Sequence, residues 1–122
     1  MTAENDQLHR KALEVSRGLR TYRIITSDSV LVEFLSAFSD KGEVWRRTAV
    51  KRIDMIMSNP NIEVEPQTRT LFKEGLELYK DRLDKEYSLT DCISMRLMKR
   101  RGITETLTED HHFEQEGFIK LL

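Results

Sequence analysis

The chain has 122 residues, 39% hydrophobic and 34% charged, with 20 Lys and Arg against 21 Asp and Glu. That is one domain's worth of material, too apolar and too balanced in charge for a disordered chain, and a net charge of -1 argues against a bulk polyanion-binding surface while leaving room for a local basic patch. The single cysteine, Cys92, excludes an internal disulfide and any zinc site built from several cysteines, and it fits a reducing cytoplasm.

No apolar run approaches the roughly 18 residues of a membrane span, so no membrane association is expected. The segment Met1 to Asp6 has neither the basic nor the apolar stretch of a secretory signal. With 2 Pro and 5 Gly there is little room for a long linker, and residues 1–122 are expected to form a single domain.

Asn5 can cap a first helix from about Asp6 to Leu19, with Leu8, Ala12, Val15 and Leu19 as its apolar stripe. Tyr22 to Thr26 is β-branched and aromatic and reads as a strand. Ser27, Asp28 and Ser29 are candidate caps for a helix from Val30 to Phe38, whose apolar arc leaves Glu33 just outside its edge. A turn at Asp40-Lys41-Gly42 leads to a helix from Glu43 to Met57 with Trp45, Ala49, Ile53 and Ile56 on one face. Ser58-Asn59-Pro60-Asn61 stops it, and Ile62 to Glu65 alternates as a short strand.

Thr68 caps a helix to about Leu83, with Phe72, Leu76, Tyr79 and Leu83 as the expected stripe. Asp84 to Tyr87 reads as a loop. Ser88-Leu89-Thr90-Asp91 has the form of a capping box opening a buried helix to Arg101, with Gly102 just past its end. Glu105 to Thr108 is a short strand, Glu109-Asp110 opens a helical turn over His111 to Glu116, and Phe118 to Leu121 is a last strand. Helices alternating with short strands predict an α/β fold with a mostly parallel sheet.

Three acids stand out by position. Glu33 lies at the rim of an apolar stripe, Asp91 in the first turn of a nearly all-apolar helix, and Asp110 directly after a strand. Ligands gather outside the carboxyl ends of parallel strands, and carboxylates brought together there need a divalent cation to offset their repulsion. Each acid also has a plain structural reading: a solvated rim residue, the second half of a capping box, and an N-cap.

His111 and His112 are adjacent, so they point about 100° apart on a helix and are expected in surface or packing roles rather than as a metal pair. His9 reads as a helix-surface residue, Cys92 as buried and inert, Trp45 as a packing residue and the five methionines as core filler. Lys99-Arg100-Arg101 either complements the helix dipole or contacts phosphate.

Ser88-Leu89-Thr90-Asp91-Cys92 resembles the S-L-T-D-C/A segment of PIN domains. Gly102-Ile103 followed by Leu107-Thr108-Glu109-Asp110-His111-His112-Phe113 resembles that family's G-I-x-x-x-L-T-x-D-x-H-F, and Gly117-Phe118 continues the match. Thr26 to Glu33 is similar to its T-x-D-x-V-L-x-E, and Asp6 to Ala12 to its D-x-x-H-x-x-A first helix. The nearest type is the VapC-like toxins of toxin–antitoxin pairs.

The resemblance implies a PIN-like fold and a metal-dependent endoribonuclease. Mg²⁺ or Mn²⁺ would sit on Asp91 and Asp110, with Glu33 close by, and these three are the positions matching the family's catalytic acids. It implies RNA as substrate, a cognate antitoxin as partner and a homodimer. The alternative is a non-catalytic PIN-like module that binds RNA or protein. PIN domains begin with a central strand carrying a further acid, and the match here starts just after it, with Asp6 aligned to a later loop acid. A central sheet gap that has to close in some other way and impaired nuclease activity are the corresponding expectations.

Overall fold

The computed structural model describes residues 23–106 and 111–120. Their order is β1 (Ile24–Ser27), α1 (Asp28–Ala37), α2 (Glu43–Ser58), β2 (Ile62–Glu65), α3 (Arg69–Asp81), α4 (Leu89–Arg100), β3 (Glu105–Thr106), α5 (His112–Gln115) and β4 (Ile119–Lys120). The helix expected at residues 6–19 lies outside the described residues, as do the end of the third expected strand and Asp110.

Both strand pairings are parallel, as the alternation of helices and strands predicts. β1 pairs with β2 from Ile24 opposite Ile62 to Ser27 opposite Glu65, and β3 pairs with β4 through Glu105–Ile119 and Thr106–Lys120. Among the described residues these form two separate two-stranded sheets.

Strand hands over to helix at Ser27. It is the last residue of β1 and also the N-cap of α1, its hydroxyl accepting from the Val30 amide at 3.4 Å. One residue on, Asp28 Oδ2 accepts from the Gln67 amide at 3.1 Å, and Ser29 hydrogen-bonds the Gln67 side chain. The carboxyl ends of β1 and β2 are thereby tied together at the edge where α1 and α3 begin.

α1 packs on α2 through an aromatic run in which Phe38 stacks on Trp45 at 5.8 Å between centroids and meets Phe34 at 5.1 Å. Trp45 is thus a packing residue, as its spacing predicts. Gly42 opens α2 with φ +97, a left-handed conformation that glycine adopts without cost.

The core sits between α3 and α4. One cluster joins Leu78, Tyr87, Cys92, Met95 and Phe113; the other joins Leu71, Ile93 and Leu97, with Ile25 of β1 packed against it. α4 is buried along most of its length, as its composition predicts. The buried face of α3 differs from the predicted stripe. It is Leu71, Gly75 and Leu78, while Tyr79 and Leu83 are exposed, Leu83 at 82%.

The reason is Gly75. A Cβ there would lie 2.4 Å from Ile93 Cγ1 and 3.0 Å from its Cα, so the missing side chain lets α3 press its backbone onto α4. An apolar count places glycine on no face, and the close approach sets the rotation of the helix. The methionines also divide: Met95 is core, whereas Met55 and Met57 on α2 are exposed, because both point away from the buried face that carries Ala49 and Ile53.

Candidate functional site

Asp91 is placed by its own helix end. Ser88 caps α4, its Oγ accepting from the Asp91 amide at 3.0 Å, and the Ser88 amide donates back to Asp91 Oδ2 at 3.2 Å. This is the capping box that the sequence predicts. It holds the carboxylate at the dipole-positive end of α4. The side chain is only 18% exposed.

His112, the first residue of α5, reaches the same oxygen: its Nδ1 lies 3.4 Å from Asp91 Oδ2. Asp91 Oδ2 therefore faces two nitrogens, while no described residue hydrogen-bonds Oδ1. The histidine ring is itself braced by Tyr87, centroids 5.4 Å apart and tilted by 55°.

Tyr87 lies in the loop that the sequence predicts, yet it is not at the surface. It is 5% exposed and belongs to the core. Its hydroxyl donates to Glu116 Oε1 at 3.2 Å, and Arg82 Nε donates to the same oxygen at 2.5 Å. Burial, with the Glu116 carboxylate beside it, pushes the Tyr87 phenol up to about 12. A continuous chain of contacts runs from Arg82 through Glu116, Tyr87 and His112 to Asp91.

Glu33 is exposed on α1, a helix that packs against α4, so the two described acids stand on neighbouring helices. Asp110 lies outside the described residues. Carboxylate oxygens are hard donors of the kind Mg²⁺ and Mn²⁺ take, and among the described residues none hydrogen-bonds Asp91 Oδ1. Among the described residues no group of three or more His, Cys, Asp or Glu gathers into a metal-holding cluster.

The remaining candidates have structural roles. Cys92 is fully buried, and burial pushes its thiol up, which makes it inert. Arg100 pairs with Glu74 at 2.6 Å, and Arg101 reaches Glu63 at 2.7 Å and Glu65 at 3.2 Å, clamping the end of α4 onto β2. The basic run is thus largely absorbed within the chain. Arg101 beside Glu63 holds that carboxyl below its usual range.

Sequence spacing did not single out the two residues that brace Asp91. His112 lies within the segment Leu107 to Phe113, yet nothing local shows that it meets a residue 21 positions earlier.

The fold has a counterpart. The structure is similar to the crystal structure of VapC20 of Mycobacterium tuberculosis, a sarcin-ricin loop cleaving toxin. The TM-score is 0.69 with 26% sequence identity, and the match covers 80% of this chain and 72% of that one. No curated protein matches the sequence significantly. The model of the PIN domain family matches residues 1–118, nearly the full length and including all three acids, and the chain belongs to the PIN domain family.

Proposed function

We propose that the chain is a divalent-metal-dependent endoribonuclease of the toxin type, acting as a single domain in the cytoplasm and held in check by a cognate antitoxin. The observation that carries this reading is the state of Asp91: one carboxylate oxygen anchored by the Ser88 amide and His112, the other without a hydrogen bond from any described residue, in a PIN-family chain with a fold similar to that of a sarcin-ricin loop cleaving toxin.

Asp91, Asp110 and Glu33 are the proposed catalytic acids. Asp91 and Asp110 would hold Mg²⁺ or Mn²⁺, with Glu33 close by or acting through water. A cation bound there would supply Lewis-acid polarisation of the scissile phosphate and a more acidic bound water. The chain's own part is to present the Asp91 carboxylate at the dipole-positive end of α4 and to hold it against reorientation.

Self-association fits the surface of α2, where Val44, Val50, Met55 and Met57 are exposed on one element. No helix among the described residues is long and apolar enough to cross a membrane.

One observation favours a second reading, a non-catalytic RNA- or protein-binding module. Asp91 completes the capping box of the central core helix, so a chain without nuclease activity has reason to keep it. Incubation of single-stranded RNA with the chain and Mn²⁺ separates the two readings. Metal-dependent cleavage that Asp91→Asn removes supports the nuclease, and RNA retention without cleavage in either protein supports the module.

A further inference from the structure

We propose that His112 is a positioning residue for Asp91: its Nδ1–H fixes Oδ2 and leaves Oδ1 as the single oxygen offered to a cation. This deepens the metal-dependent reading above and rests on it.

The geometry requires a donor. A carboxylate only accepts, so the nitrogen 3.4 Å from Asp91 Oδ2 carries the proton. The ring cannot swing away freely. Tyr87 lies against it, and Tyr87 is itself held in the core and through Glu116 to Arg82. The next residue, Phe113, is buried in the same core cluster and fixes α5 beneath the histidine.

The Ser88 amide alone supplies one hydrogen bond to Oδ2 and leaves the carboxylate free to pivot about it. A second donor on the same oxygen removes that freedom. Groups hydrogen-bonded to a ligating side chain orient it, and their loss typically weakens metal affinity by about 10–100-fold. His112 also follows Asp110 by two positions, so the segment bearing one proposed ligand ends on the residue that steadies another.

The test is Mn²⁺ affinity of the full chain by titration calorimetry, with thermal unfolding as the fold control. His112→Phe keeps an aromatic ring against Tyr87 and removes the donor. His112→Asn returns an amide N–H near the place of Nδ1. The expected result is a 10–100-fold loss for His112→Phe and recovery to within about threefold of the parent for His112→Asn.

Should His112→Phe unfold, the pair His112→Asn and His112→Leu repeats the comparison without a ring, with Leu expected to be the weaker. Parent-like binding by His112→Phe or His112→Leu, while Asp91→Asn loses the metal, overturns the role of His112 and leaves the metal site standing. Equal losses in the Asn and apolar variants overturn it as well, since the donor is then irrelevant. Unchanged binding in Asp91→Asn overturns the metal reading itself.

Discussion

At Asp91 a single carboxylate serves helix capping through one oxygen, Oδ2, and no described residue hydrogen-bonds the other. The division depends on Ser88, whose hydroxyl and amide both take part. Ser88→Ala removes the hydroxyl half of the box and should cost about 1 kcal/mol in thermal or urea unfolding. Tyr87 gives a second residue-scale test. Its folded value of about 12 lies above the ordinary 10, so ionisation favours the unfolded chain.

The stabilisation from Tyr87 is therefore complete below pH 10 and is lost as pH rises from 10 to 12. Tyr87→Phe should lose about 1 kcal/mol at neutral pH through the missing hydrogen bond to Glu116, and its stability should then fall less steeply above pH 10. Urea denaturation across that range measures both effects. The capping box could be read from four consecutive residues because capping is a local interaction. Tyr87 and His112 could not, since their partners lie 29 and 21 positions away and flanking residues carry no trace of them.

Among the elements, α3 and α4 make the decisive contact, and Gly75 is its tightest point. Gly75→Ala gains about 1 kcal/mol of helix propensity but drives a Cβ into Ile93, including its backbone. Overpacking of this kind costs about 1–3 kcal/mol, so net destabilisation is expected in urea unfolding. An equal or more stable Gly75→Ala protein would show that the helices can separate without penalty.

Element boundaries were largely legible. Ser27, Thr68 and Ser88 cap their helices as predicted, and β2 has the predicted limits. Those signals reside in side chains next to the boundary they set. The orientation of α3 was not legible, because its buried face is centred on a residue with no side chain. Met55 and Met57 of α2 are exposed, although residue type alone assigns methionine to a core. The acids followed the same division: Asp91 carries a local motif that the structure realises, while Glu33 sits exposed at the rim where its spacing puts it.

For the molecule as a whole, the exposed apolar residues of α2 bear on assembly and Asp91 bears on activity. Val44→Glu combined with Met55→Glu should shift the chain toward monomer in sedimentation velocity without changing its helix content, because both residues are exposed. An unchanged oligomeric state would remove α2 as the self-association surface. The central claim is that this PIN-family chain cuts RNA through a cation held at Asp91. Its most direct test is cleavage of single-stranded RNA by the 122-residue chain with Mn²⁺, with EDTA, and with Asp91→Asn. Cleavage that EDTA stops and Asp91→Asn lowers by about 10²-fold or more is the predicted result; cleavage that persists in Asp91→Asn, or that needs no divalent cation, would contradict it.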